Sequence, residues 1–171
     1  ARGVAKGDRV GLFLPNVPVY LSAYFGALLA GATVVNFSPL YTAAELKAQV
    51  ADSGIHLLVT IDSAALLPTA LAVLQDSSLD QLIVASLADM LPLLQGIGLR
   101  LFRRSELTPV PPGPDVLRWR AVLAREAPRP VAIHPMLDPA LIQSTGGPTR
   151  PPKGPTPPPH GGPARPPPAA P

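Results

Sequence analysis

The sequence predicts an α/β fold with a largely parallel sheet. Three observations point there. Short apolar runs alternate along the chain with segments carrying helix start and stop signals. The strand candidates are near-continuous apolar runs, as expected when both faces of a sheet are covered. Hydrophobic residues make up 47% and charged residues only 15%, a composition that builds a core.

Gly7-Asp8 precedes Val10-Gly11-Leu12-Phe13-Leu14, a short apolar run bounded by turn residues and read as a buried strand. Asn16 is a candidate N-cap for a helix over Val17 to Ala30, with Pro18 in its first turn and Gly31 as its stop. Thr33 to Phe37, rich in β-branched residues, is the second strand. Thr42 opens a capping box with Glu45 and a helix reaching about Ser53, which Gly54 ends. His56 to Ile61 is the third strand, Ser63 to Gln75 a helix despite Pro68, and Gln81 to Ser86 the fourth strand. Residues 88–130 are expected to be an irregular insertion packed on the body, with a short helix from Val116 to Glu126 carrying Trp119. A rival reading of that segment is a surface element with arginine heads that touches a membrane. Asp138 to Gln143 reads as a final strand.

No charge occurs from Val10 to Ala44, so a membrane span has to be weighed. The prolines and glycines confine its apolar run to Val17–Ala30, which is too short, and a helix buried between layers fits better. The chain starts at Ala1, without the features of a secretory leader, and reads as the interior of an open reading frame.

Proline supplies 25 of the 171 residues, about three times its ordinary share. Half of residues 148–171 are proline, and Val, Leu and Ile are absent after Ile142, so this tail is expected to be disordered or polyproline-like. Lys+Arg and Asp+Glu balance over residues 1–138, which places the net charge of +3 on the tail and argues against a nucleic-acid surface on the body. With no cysteine, disulfides, thiolate nucleophiles and zinc-thiolate sites are excluded. His56, inside an apolar run, reads as a packed core histidine. His134 and His160 have no partner at metal-ligand spacing, and no metal site is expected. Asp8, Asp52, Asp62 and Asp138 read as caps or turn formers.

One segment carries candidate chemistry: Gln143-Ser144-Thr145-Gly146-Gly147-Pro148-Thr149-Arg150-Pro151-Pro152-Lys153-Gly154. It follows a predicted strand. Glycines let backbone N–H groups approach phosphate oxygens, hydroxyls donate further hydrogen bonds, and a lysine adds a point charge. It does not match a Walker A loop.

Order and spacing add to this. Gly7-Asp8-Arg9-Val10-Gly11-Leu12-Phe13-Leu14-Pro15-Asn16, Tyr24-Phe25-Gly26-Ala27-Leu28-Leu29-Ala30-Gly31-Ala32, and Asn36-Phe37-Ser38-Pro39-Leu40-Tyr41-Thr42-Ala43-Ala44-Glu45-Leu46 together resemble the N-terminal part of the adenylate-forming (AMP-binding) acyl-CoA synthetases. Met90-Leu91-Pro92-Leu93-Leu94 is similar to an insertion of the long-chain fatty acid–CoA ligases. The resemblance covers about residues 1–154. It implies that Thr145, Gly146, Gly147, Thr149, Lys153 and Gly154 belong to an ATP phosphate loop, with no catalytic residue inside this segment. Three positions depart from the family loop: Ser144 stands for an aromatic residue, Pro148 for threonine and Arg150 for glycine. Pro148 removes an N–H and fixes φ, and Arg150 adds a Cβ, so both are expected to damage the loop. These changes, and the prolines that follow, each need one base changed to cytosine, which suggests a deteriorating sequence read, with drift after loss of function as the alternative.

The resemblance implies an acid–thiol ligase using ATP, Mg²⁺ and coenzyme A on a fatty acid. The expected division is a partial adenylation domain over 1–147, with the insertion at about 88–130, and the tail over 148–171. The segment alone is expected to be inactive. No nucleic acid or defined protein partner is expected, and the implied location is cytoplasmic with peripheral contact at the inner face of the membrane. The alternatives are an adenylate-forming ligase for an aryl or amino acid, and a non-enzymatic α/β module whose Pro155–Pro159 stretch binds SH3- or WW-type partners.

Overall fold

A computed structural model describes residues 3–124, 131–134 and 137–143. A turn at Gly7 leads into β1 (Arg9–Leu12), shorter than the predicted run because Phe13 and Leu14 already leave the ladder while staying buried. The helix α1 (Pro18–Leu29) follows. Its N-cap is Val17, which makes no side-chain capping bond, so Asn16 is not the cap. Pro18 starts this helix instead: its fixed φ suits the first position, where an N–H has no intrahelical partner.

β2 (Thr33–Asn36) leads to α2 (Ala43–Ser53), and the predicted capping box is complete. The Glu45 carboxylate accepts from the Thr42 backbone N–H at 2.8 Å and from its hydroxyl at 2.8 Å. The Thr42 backbone bond, then the side-chain bond, holds the Glu45 carboxyl below its usual range. Gly54 closes α2 with a φ of 61°, a left-handed conformation that a Cβ would penalise.

β3 (Leu57–Ile61) begins one residue after His56. That histidine corrects the reading of a core residue. Its side chain is 67% exposed, at the amino edge of the sheet, with Nδ1 3.3 Å from Asp80. α3 (Leu67–Gln75) starts later than predicted, because Pro68 is tolerated only in a first turn. β4 (Gln81–Ala85) matches its prediction to one residue.

Residues 88–124 carry more regular structure than expected. After a 3₁₀ turn at Leu87–Met90 comes α4 (Leu93–Phe102), then a second 3₁₀ turn at Arg104–Glu106. Val116 does not begin a helix. It begins β5 (Val116–Arg118), which pairs with β4, and among the described residues of that stretch Trp119–Leu123 is helical, as α5. β6 (Leu141–Gln143) completes the described fold.

The six strands are all parallel and run in the order β5-β4-β3-β1-β2-β6. The path from β1 goes outward to β2, returns across β1 to β3, then continues outward on the other side. Right-handed crossovers therefore put α1 on one face and α2 with α3 on the other, and α2 and α3 do pack on each other. Between the layers lie fully buried Leu12, Phe13, Leu46, Ile55, Leu58, Leu67 and Leu82. Thr60, also fully buried, donates its hydroxyl to the Phe13 carbonyl at 3.1 Å, so its polar atom costs little. Among the described residues no helix is long and apolar enough to cross a membrane.

Candidate functional site

In open α/β sheets, ligands bind beyond the carboxyl ends of the strands, where the strand order reverses. Here the reversal lies at β1 and β3. The same edge holds the ends of β2 and β6, with Asn36 in register with Gln143. β6 thus brings the chain to the carboxyl edge one residue before Ser144. The predicted phosphate-loop residues Thr145, Gly146, Gly147, Thr149, Lys153 and Gly154, and the departures Ser144, Pro148 and Arg150, lie outside the described residues, as does His160.

Four contacts help to fix β6 in place. The Thr33 hydroxyl donates to the Pro139 carbonyl at 2.8 Å, and the Val34 N–H donates to the Ala140 carbonyl at 3.0 Å. Lys6, far away in sequence, lies 2.7 Å from the Asp138 carboxylate and donates to the Ala132 carbonyl at 2.7 Å. Asp138 also accepts from the His134 backbone N–H at 2.8 Å, the turn-forming role predicted for it. Asp8 accepts from the Ala5 N–H in the same way, and the Asp62 carboxylate accepts from the Leu87 N–H, tying the end of β3 to the turn after β4.

The Lys6 ammonium, then the His134 N–H, holds the Asp138 carboxyl below its usual value. A depressed carboxyl pKa in the folded state contributes stability above the unfolded value of 3.8, and that contribution is lost as pH falls through the folded value. Asp138→Asn is therefore expected to lower the urea midpoint near neutral pH and to flatten its fall on acidification below about pH 4. An acid limb as steep as in the parent would show that the Lys6–Asp138 contact carries no linkage.

Beside β6, the Asn36 amide donates to the Tyr20 hydroxyl at 2.8 Å, while its own carbonyl oxygen is buried without a partner among the described residues. An unmet buried acceptor costs about 1–3 kcal/mol, which a donor arriving there recovers. Tyr20 stacks on Tyr24, and Tyr24 meets Phe25 edge-on, which steadies this corner. A cleft of about 380 Å³ lies at the same edge, between the start of α1 and the ends of β3 and β4, lined by Pro18, Ser22, Asp62, Ser86, Asp89 and Trp119. A larger one of about 610 Å³, including Arg9, His56, Asp80 and Asp115, opens at the amino edge, away from the switch point. Among the described residues no three His, Cys, Asp or Glu converge on a common point.

Lys6, Thr33, Tyr20 and Asn36 were not singled out from the sequence. Only Asn36 carried a signal, a polar residue closing an apolar strand.

An all-parallel sheet with this switch point defines an open α/β architecture, and its last described strand ends one residue before a glycine- and threonine-rich stretch of the sequence. The AMP-binding enzyme family model matches residues 1–155, and the chain belongs to that family. A long-chain-fatty-acid–CoA ligase of Bacillus subtilis (strain 168) is 34% identical over 157 residues, which cover 89% of this chain and 28% of that protein. A ligase of the same name from Salmonella typhimurium (strain LT2) is 34% identical over 152 residues, 86% of this chain and 27% of that one. The solved long-chain-fatty-acid–CoA ligase of Archaeoglobus fulgidus superposes with a TM-score of 0.58 at 25% identity, over 89% of this chain and 25% of that structure. The Brucella canis acyl-CoA synthetase gives a TM-score of 0.62 at 19% identity, over 89% and 23%, and attests the fold alone. The chain thus spans about a quarter of the length of these relatives. The relatives are acid–thiol ligases by name, and the family match leaves the non-enzymatic module reading without support over residues 1–155.

Proposed function

We propose that this chain supplies the early part of the adenylation domain of an ATP-dependent fatty acid–CoA ligase. The observation that carries this is its 34% identity, over nearly nine-tenths of its length, to a protein named for that activity. In that reading residues 1–147 belong to the domain, residues 88–130 are an insertion in it, and residues 148–171 form the proline-rich tail. The overall reaction exchanges leaving groups. The carboxylate oxygen attacks the α-phosphorus of ATP, pyrophosphate leaves, and the acyl-adenylate forms. The CoA thiol then attacks the acyl carbon, loses its proton and expels AMP.

Thr145, Gly146, Gly147, Thr149, Lys153 and Gly154 are assigned to the ATP phosphates. Backbone N–H groups and hydroxyls would grip the oxygens, and the Lys153 ammonium would offset charge on the departing pyrophosphate. Mg²⁺ would supply further neutralisation of the phosphates when bound. The contacts that fix β6 hold the segment from which this loop departs, so they serve its placement. The location proposed is cytoplasmic, with peripheral contact at the inner membrane face, where fatty acids partition.

Given ATP, Mg²⁺, palmitate and CoA, the 171-residue chain is expected to form no thioester, and detectable thioester would overturn the assignment of an inactive segment. The ligase reading is tested in a hybrid, with this segment replacing its counterpart in the Bacillus subtilis relative and the loop restored at positions 144, 148 and 150. That hybrid is expected to form acyl-CoA, and Lys153→Ala within it to slow adenylate formation by about 10²-fold or more. A soluble, folded hybrid that forms no adenylate would count against the reading.

A further inference from the structure

We propose that Lys6 is a positioning residue for adenylation: it sets where β6 lies along β2, and so where the phosphate loop leaves the sheet. The proposal rests on the ligase reading above and deepens it. β6 needs an external stop. It has three residues, of which Leu141 and Gln143 are exposed and Ile142 is half-buried. Among the described residues it pairs with β2 and with no other strand. Register is specified strongly where one face of a strand is buried, and weakly where neither is. A slip of two residues along β2 would keep every side chain on its own face, yet carry the chain after Gln143 about 6.6 Å along the sheet. A reacting constellation tolerates about 0.5 Å.

The stop is built at the amino edge, where β6 enters the sheet. Lys6 sits in the turn before β1, and that turn is held from within and from outside. The Asp8 carboxylate accepts from the Ala5 N–H at 2.8 Å, and the Asp8 N–H donates to the Ala5 carbonyl at 3.1 Å. The Gly7 N–H donates to the Gly31 carbonyl at 3.0 Å, and the Thr33 N–H to the Asp8 carbonyl at 2.8 Å, so the turn is tied to the residues that enter β2. The Lys6 stem passes over Gly31, where a Cβ would meet its Cβ and Cγ at 3.1 Å and Val131 Cγ1 at 3.2 Å. From this seat one ammonium group reaches two points of the segment leading into β6, the Ala132 carbonyl and the Asp138 carboxylate, each at 2.7 Å. The His134 carbonyl accepts from the Leu137 and Asp138 N–H groups at 2.9 Å each, and Asp138 accepts from the His134 N–H, so these residues are tied together. Each lysine bond alone would be a screened surface contact of little consequence. Two bonds from one fixed ammonium confine both the distance and the position of the segment along β2. The Thr33 hydroxyl adds a further point at the Pro139 carbonyl, from a residue tied to the same turn. A slipped β6 would break all of these together.

The test has two readouts. In the 171-residue chain, amide hydrogen exchange follows Val34, whose N–H donates to the Ala140 carbonyl, and Phe13, whose N–H donates to the Val59 carbonyl. Lys6→Met is expected to speed exchange at Val34 about tenfold or more while Phe13 is unchanged. Lys6→Arg can make both bonds and is expected to restore the protection. In the hybrid ligase with its loop restored, K6M should raise KM for ATP about tenfold and leave KM for the fatty acid within about twofold. K6R should recover the parent value, and K6M/D138N should be no worse than K6M, because both substitutions remove one contact. Faster exchange at Val34 and Phe13 alike would mean that Lys6 stabilises the whole fold, and would overturn the proposal. So would a fall in apparent kcat alone, matched by a smaller folded fraction. Unchanged exchange at Val34 in K6M would remove the clamp itself. Selective exchange at Val34 with an unchanged KM for ATP would confine Lys6 to the strand and overturn its role in adenylation. A folded parent hybrid that forms no adenylate, beside selective exchange at Val34, would overturn the ligase reading and leave the clamp on β6 standing.

Discussion

Phe13→Ala is expected to destabilise the chain by about 3–5 kcal/mol, a large share of the roughly 5–15 kcal/mol that holds an ordinary domain together. The ring is fully buried just beyond the carboxyl end of β1, the strand that lies between β2 and β3. Its backbone is pinned on both sides. The Phe13 N–H donates to the Val59 carbonyl at 2.9 Å, and its carbonyl accepts the Thr60 hydroxyl at 3.1 Å. A site tied to β3 in this way cannot collapse into the space the ring leaves, so the cavity term persists alongside the lost transfer energy. Phe13→Leu keeps most of the volume and should cost less than about 1.5 kcal/mol. Urea unfolding of the two variants beside the parent measures both. A loss below about 1 kcal/mol for the alanine variant would mean that the layers close around the gap. The site would feel this too, because Phe13 starts the connection from β1 to α1 at the switch point, and α1 carries the Tyr20 that holds Asn36.

What the sequence reveals follows from how local each cause is. Thr42 and Glu45 lie three residues apart and satisfy each other whatever surrounds them, so that helix start was legible, as was its glycine stop. The first four strands were legible because a strand buried on both faces is an apolar run. The failures have non-local causes. Val116–Arg118 is a strand only because β4 offers it a ladder, and nothing within those three residues announces it. His56 sits beside an apolar run, yet it belongs to the turn before β3, and its partner Asp80 comes from the turn before β4. Asn16 has the chemistry of a cap, but Pro18 has the fixed φ that starts a helix, and the proline prevails. At the site, Lys6 and Asp138 meet only once the sheet has formed, so their pairing was out of reach. The proposed phosphate loop rests on the opposite kind of signal. That reading is taken from consecutive residues outside the described ones, and the fold adds only the strand that ends at Gln143.

The loop carries the second large effect. In the hybrid ligase, the chain's own Pro148 and Arg150 are expected to depress adenylate formation at least about 100-fold relative to threonine and glycine at those positions. The magnitude comes from weighing three terms. A backbone N–H to a charged phosphate oxygen contributes about 1.5–3 kcal/mol, and proline at 148 deletes such a donor while fixing φ. Threonine would return both that donor and a hydroxyl. In the proposed loop Arg150 would add a positive charge near the phosphates, but a solvent-screened charge pair contributes only about 0–1 kcal/mol. Its Cβ meanwhile closes the left-handed conformations that glycine allows, at about 1–2 kcal/mol where one is required. The geometric losses therefore exceed the electrostatic gain, and proline accounts for the larger part. The single restorations should rank accordingly: Pro148→Thr recovers more activity than Arg150→Gly, and the two together recover the most. The readout is fatty-acid-dependent exchange between pyrophosphate and ATP, with KM for ATP and kcat determined separately. If Arg150→Gly alone lowered the rate, its charge would outweigh its geometry. If neither restoration changed the exchange rate, the loop would be gripping phosphate through Lys153 and the hydroxyls, without the backbone.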